Sequence, residues 1–271
     1  MRGKEMNVSS TAGRFRPRGS SKKRNPGTSF AALLVSVVAL ATACSGGSGG
    51  TDEAIPNATP TGQELREMVD SGASAFARQE SFHFELEDLE GQTEASPGLV
   101  LVWARGDVRV TEAVRGFLGL GAVGAPAAPL ETEIRVIEGQ GYATNPLSGS
   151  WTRSDASELP VKLDGLTDTI RTLMTSVGSL EFAGSRLTDV GAGRAVRGTI
   201  AASEFRVLFD GALTEPSATV VAEVVIANAD GLPHLIEVSG RMLHSDEEGA
   251  RRLLTLSRFG DAVEFGVPAG F

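Results

Sequence analysis

Residues 61–87 read TGQELREMVDSGASAFARQESFHFELE, and within this stretch the period of the apolar positions changes. Thr61 and Glu64 form a capping box, with Thr at the N-cap and Glu three residues on. Leu65, Met68, Val69, Ala73, Phe76 and Ala77 then recur at helical spacing, which predicts an amphipathic helix over 62–79. From Phe82 the period drops to two. Phe82, Phe84 and Leu86 alternate with His83, Glu85 and Glu87, the pattern of a half-buried strand. A helix with one apolar face followed by a strand with one apolar face predicts a helix laid against a sheet.

The rest of the chain extends that plan. Residues 98–103 form a continuous apolar strand, and Gly106-Asp107 is expected to turn into Val108-Arg109-Val110. Strands are expected at 131–137, 142–144 and 151–153. A second helix is expected over 166–177, with Asp164 as N-cap and Leu166, Ile170, Leu173, Met174 and Val177 as its apolar stripe. Residues 182–188 and 195–200 read as a hairpin, and 202–209 as a short helix. The last third reads as a meander: a Val-rich strand at 218–227, an Asp230-Gly231 turn into 233–243, and a pairing of 251–259 with 263–267. About nine or ten strands joined by short turns, with two good helices, give an α+β fold: one large bent antiparallel sheet with the helices on a single face. Arg115 to Pro129 (RGFLGLGAVGAPAAP) stands apart, because it combines glycines and prolines with Phe117, Leu118, Leu120 and Val123. It is expected to be either a movable apolar flap hinged at its glycines or an apolar loop packed on the sheet edge.

Upstream of the helix, Ser29 to Cys44 reads SFAALLVSVVALATAC behind a basic segment carrying Arg14, Arg16, Arg18, Lys22, Lys23 and Arg24. A basic region, an apolar core of about 14 residues and small residues after it make a secretory signal peptide. That core is short of the roughly 20 residues of a spanning helix. Leu40-Ala41-Thr42-Ala43-Cys44 resembles a bacterial lipobox, in which the cysteine is acylated and becomes the mature N-terminus. Two or three acyl chains on Cys44 anchor stably where one would not. Ser45 to Pro60 is rich in Gly, Ser, Thr and Pro and reads as a flexible tether with a span of about 20 Å. The expected organisation is a signal peptide at 1–43, a lipidated Cys44 with its tether at 44–61, and a folded domain at 62–271. The location it implies is the extracytoplasmic face of the cell membrane.

Charge narrows the function. The 271 residues carry a net −9, yet residues 1–43 hold 8 of the 25 Lys+Arg and 1 of the 34 Asp+Glu, so the chain from Cys44 onward stands at −16. An acidic exported domain lacks the basic surface that nucleic acid requires. Cys44 is the one cysteine, so the domain has no disulfide framework and stands on its core. There is no G-x-S-x-G elbow and no H-E-x-x-H, and Gly191-Ala192-Gly193-Arg194 lacks the context of a phosphate loop. His83, His234 and His244 read as solvated strand or loop residues, and Glu85, Glu87, Asp88 and Glu90 as a solvated sheet face. No catalytic residue, metal site or cofactor is expected.

The order and wording of these elements resemble the LppX/LprAFG family of actinobacterial lipoproteins. Ser81-Phe82-His83-Phe84 follows the first helix as in the family. Gly141-Tyr142-Ala143-Thr144 with Gly149-Ser150-Trp151 resembles its paired strands, and 166–177 falls at its central helix. Arg186-Leu187-Thr188-Asp189-Val190 with Gly193 and Arg197-Gly198 resembles its hairpin, and Leu254-Thr255-Leu256-Ser257-Arg258-Phe259-Gly260 with Val263 and Pro268 its closing strand. The resemblance covers about residues 64–268. It implies a half-barrel similar to the LolA/LolB carriers, whose bent sheet and helices enclose a large apolar cavity. Its implied ligand is a multi-acyl lipid or glycolipid carried across the envelope, with a membrane exporter as a possible partner and a monomeric protein. The cavity residues expected are Phe82, Phe84, Leu86, Leu101, Trp103, Phe117, Leu118, Ile134, Val136, Ile170, Leu173, Met174 and Val177. The alternative is a non-catalytic envelope adaptor whose sheet is filled by its own side chains.

Overall fold

The computed structural model describes residues 59–96, 98–110, 113–159, 163–205 and 217–271. Residues 1–58, with the expected signal peptide, Cys44 and nearly all of the expected tether, lie outside them. Helix α1 spans Gly62–Phe76 and opens on the capping box: the Thr61 N–H donates to Glu64 Oε2 at 2.7 Å, and Thr61 Oγ1 accepts from the Glu64 N–H at 3.3 Å. Its buried face is Leu65, Val69, Ala73 and Phe76. The helix ends at Phe76 rather than at 79. Ala77 caps it, and the Gln79 N–H turns back to the Phe76 carbonyl at 3.0 Å.

The sheet has twelve strands: β1 (Ser81–Glu90), β2 (Thr93–Ser96), β3 (Leu99–Arg109), β4 (Ala113–Ala122), β5 (Ala125–Ile137), β6 (Gln140–Thr144), β7 (Trp151–Asp155), β8 (Gly178–Thr188), β9 (Gly191–Ala201), β10 (Thr219–Ala227), β11 (Pro233–Ser239) and β12 (Arg251–Ser257). All pairs are antiparallel, in the order β7-β6-β5-β4-β3-β1-β12-β11-β10-β9-β8, with β2 paired to β3 beside that path. Two meanders therefore meet at a central seam. There Phe84 of β1 lies opposite Leu256 of β12, and Leu86 opposite Leu254. The sheet is open, ending at β7 on one side and β8 on the other. These edge strands are consecutive in sequence, so the chain between them must cross the whole sheet. It does so through short 3-10 turns at Ala156–Glu158 and Leu163–Gly165 and then helix α2, Leu166–Ser176. That crossover lays the apolar stripe of α2 onto the sheet beside α1. Burying four residues such as Leu166, Ile170, Leu173 and Met174 contributes about 1.5–3 kcal/mol each.

Several sequence expectations are corrected. The N-cap of α2 is Gly165, without a side-chain cap, because Asp164 lies inside the preceding 3-10 turn. The side chain of Asp164 lies outside the described residues. The predicted helix over 202–209 is a 3-10 turn at Ala202–Phe205, and residues 206–209 lie outside the described set. No turn occurs at Gly106, which continues β3 opposite Gly116. Arg115 to Pro129 is neither flap nor loop but the β4–β5 hairpin, turning at Val123-Gly124 with Gly124 at φ 77°. Its glycines serve close approach. A Cβ on Gly116 would come 2.9 Å from Leu163 Cδ1, and one on Gly119 would come 2.5 Å from Trp103 Cε2. Residues 263–267 form no strand. The tail instead runs across the outer face of the sheet, where the Arg109 guanidinium bonds the Val263 carbonyl, Arg135 Nη1 donates to Gly266 O at 2.6 Å, and Phe271 packs 5.5 Å from Tyr142.

Candidate functional site

Where α2 crosses the seam, the described residues enclose a cavity of about 60 Å³. Its floor is the sheet, from Phe84 and Leu86 of β1, Ile236 and Val238 of β11 and Leu254 of β12. Its roof is α2, from Leu166, Thr169, Ile170 and Leu173. Leu163, from the 3-10 turn before α2, and Phe205, from the 3-10 turn after β9, close its flanks with Met242. Register explains the floor: Phe84, Leu86 and Leu254 share one face of the β1–β12 ladder, and Ile236 sits opposite Leu254. Gly116 makes room for Leu163 to reach the sheet, with Phe84 alongside.

Two polar residues break this apolar lining. Thr169 is 4% exposed, and its hydroxyl has no hydrogen-bond partner. Arg252 is 4% exposed and stands where the inner face of β12 turns polar, opposite Asp88. Its Nη1 and Nη2 donate to Asp246 at 3.0 and 2.5 Å, and Nε donates to Thr93 Oγ1 at 2.7 Å and lies 3.2 Å from Asp88. Asp246 also accepts the Met242 and Leu243 N–H groups at 2.9 and 2.7 Å. The buried guanidinium is thus matched by two carboxylates and is fully oriented. Burial pushes the Asp88 carboxyl above its usual range, against the opposing pull of Arg252 and Thr93.

The structure separates the residues expected at the cavity. Phe84, Leu86, Ile170 and Leu173 line it. Phe82 is buried beneath α1, its ring 5.2 Å from Phe76. Leu101, Leu118, Ile134 and Val136 are buried on the inner face of the β3–β5 wing, beside the cavity. Met174 and Val177 are buried at the α1 side of α2, where Met174 approaches Gly72. Trp103 and Phe117 are on the other face altogether. Trp103 pairs with Glu87 and carries Arg105 at 4.7 Å over its ring, and Phe117 pairs with Arg105 and carries Arg115 at 5.3 Å. Leu163, Thr169, Phe205, Ile236, Val238, Met242, Arg252 and Leu254 also line the cavity and were not foreseen. The signal for Arg252 was present, since Arg252, Leu254 and Leu256 share one face of a period-two strand. His234, expected to be solvated, is 1% exposed, meets the Phe259 ring edge to face at 5.2 Å and lies 3.0 Å from Asp230.

The architecture is that of an open half-barrel: a single bent antiparallel sheet, unclosed at its edges, with helices held against its inner face over an apolar pocket. Solved structures share it. The lipoprotein LppX of Mycobacterium tuberculosis is 20% identical, aligning 75% of this chain with 99% of LppX at a TM-score of 0.54. LprF from Mycobacterium bovis is 18% identical, aligning 78% of this chain with 100% of LprF at a TM-score of 0.57. At these identities what is shared is the fold, and at that level the LppX/LprAFG resemblance read from the sequence is borne out. The LolA superfamily protein NE2245 from Nitrosomonas europaea aligns at a TM-score of 0.25, a likeness too loose to argue from. Neither a protein-family model nor a curated protein matches the sequence.

Proposed function

We propose that the chain is a lipid-anchored envelope protein that holds acyl lipid between α2 and the sheet and carries it across the envelope without catalysis. The observation that supports this reading is the cavity itself. It lies under the crossover helix at the centre of an open sheet, and its lining is apolar except for Thr169 and Arg252. At about 60 Å³ it is smaller than the ~150 Å³ that accommodates benzene, so an acyl chain enters only if α2 lifts from the sheet. The inner face of α2 meets the sheet through side chains rather than backbone pairing, so lifting it leaves the strand ladders intact. Each methylene buried contributes about 0.8 kcal/mol, and the source membrane offers nearly the same, so loading lies close to neutral and unloading is feasible. Acylation of Cys44 would hold the domain on its tether at the membrane surface, within reach of a membrane exporter.

The size of the cavity favours a second reading. Space for a few water molecules is what an adaptor with a filled core would show. One experiment separates the two. The full chain carrying Cys44→Ser is exported from an actinobacterial host and weighed by native mass spectrometry. Co-purifying acyl lipid or glycolipid is expected; a uniformly lipid-free protein that also fails to take lipid from vesicles is the adaptor's result. Wild-type protein partitioning into detergent, with the Cys44→Ser variant remaining aqueous, would establish the anchor.

A further inference from the structure

We infer that the adjoining ends of the β2–β3 and β4–β5 hairpins form an apolar tip that enters a lipid bilayer, and that the inner face behind this tip is the route by which acyl chains reach the cavity. The second half rests on the lipid reading above and gives it a portal.

The two turns are joined, because the Val123 N–H donates to the Gly98 carbonyl at 3.2 Å. Around that bond Val123 is 57% exposed, Leu130 45% and Leu99 39%. Single exposed aliphatic residues are ordinary. Here three stand on adjacent strands, and no charge lies among them. Residues 95–104 and 116–130 hold no Asp, Glu, Lys or Arg, in a chain whose residues are 22% charged. The charges that bound these stretches are Glu94, Arg105, Arg115 and Glu131, and Arg105 lies 3.4 Å from Glu131.

Residue type separates a bilayer from a protein partner. Protein hot spots favour Trp, Tyr and Arg over Leu and Val, and this tip is Leu and Val. Its Trp and Arg stand further back. Trp103, with Arg105 over its ring, lies opposite Gly119, four residues and about 13 Å from Val123 along β4. Aliphatic side chains first, then tryptophan and arginine, is the order of a bilayer leaflet from hydrocarbon to headgroups.

The tip is continuous with the cavity. Leu99 precedes Leu101 by two residues on the inner face of β3, Leu120 lies opposite Leu101, and Leu130 lies opposite Leu120. Across the bulge Leu101 is followed by Ala104, which stands opposite Leu86 of the cavity floor. An acyl chain moving along this row keeps apolar contact from the bilayer to the cavity.

The test uses the full chain carrying Cys44→Ser, which leaves no cysteine, with Val123→Cys bearing an environment-sensitive nitrobenzoxadiazole label and dioleoylphosphatidylcholine vesicles as the probe. Leu187→Cys, labelled likewise, is the control, because Leu187 is 82% exposed on the β8–β9 hairpin between Arg186 and Asp189. Vesicles should blue-shift the label at 123 and leave it unchanged at 187. Without labels, Val123→Asp should weaken vesicle binding about tenfold or more and slow lipid uptake in parallel, while Leu187→Asp matches the parent and Val123→Leu binds at least as tightly. Val123 and Leu187 are exposed, so all three variants should melt as the parent does. A label at 123 that stays aqueous, or that shifts only when host membrane proteins are supplied, overturns the tip, while lipid uptake from the same vesicles keeps the lipid reading. Equal shifts at 123 and 187 mean unspecific adsorption and also overturn it. A Val123→Asp protein that binds vesicles poorly yet loads lipid at the parent's rate overturns the route. A label that enters the bilayer on a protein that takes up no lipid upholds the tip and overturns the lipid reading, and the route with it.

Discussion

Replacing Gly119 by alanine tests what the glycines of the β4–β5 hairpin are for. Gly119 is paired with Trp103 on the outer face of the sheet, and the added methyl would lie 2.5 Å from Trp103 Cε2. The indole cannot stay where it is. It must rotate out or push the strand aside, and overpacking of this kind costs about 1–3 kcal/mol. Moving the indole also takes it from beneath Arg105, whose guanidinium sits 4.7 Å from the ring centroid; that contact is worth about 0.5–1 kcal/mol near the surface. The expected loss is about 2–3 kcal/mol, or roughly 5–10 °C in melting temperature for a domain of this size. Denaturant unfolding of a double-mutant cycle isolates the cause. In a Trp103→Ala background the clash is gone, and Gly119→Ala should be neutral or slightly stabilising, because glycine is a poor strand residue. The two sites should therefore couple by about 1.5 kcal/mol or more. Equal effects of Gly119→Ala in both backgrounds would refute the close-packing account. A Gly119→Ala protein that melts normally but exchanges lipid slowly would restore the hinged flap.

Two further predictions concern the buried charges. Arg252→Met strips the partner from Asp88 and Asp246, whose side chains are 8% and 0% exposed, and should cost about 3–5 kcal/mol in denaturant unfolding; a loss under about 1 kcal/mol would mean that the guanidinium does not hold this corner together. Asp88, raised by burial, ionises at higher pH in the folded than in the unfolded chain. Its favourable contribution is fully present below the ordinary carboxylate value of about 4 and is lost as pH rises through the folded value. Stability measured against pH should thus fall for the wild type relative to Asp88→Asn over that rise, and parallel curves would contradict the assignment.

The sequence by itself determined the local elements. The capping box at Thr61 and Glu64 is a contact between near neighbours, so the start of α1 was legible in four letters. The alternation of Phe82, Phe84 and Leu86 marked one buried strand face, and the spacing of Leu166, Ile170 and Leu173 marked the inner face of α2. The fold class and its LppX/LprAFG likeness followed from the order of such elements. What the tertiary structure decided was everything set by partners distant in sequence. In sequence Leu101 and Trp103 have the same parity, but a bulge between them puts Leu101 inside and Trp103 outside. Val263, Phe265 and Val267 alternate like a strand, yet that segment lies across Arg109 and Arg135 because those guanidinium groups bond its carbonyls and stack on its ring. Glycines that read as freedom in the β4–β5 hairpin are instead places where Leu163 and Trp103 lie against bare backbone. Thr169 read as one more helix residue, and its unpartnered hydroxyl exists only because α2 must cross the sheet from β7 to β8 and is buried on the way. Local periodicity records which face of a segment is apolar; which neighbour covers that face depends on chain crossings that periodicity does not encode.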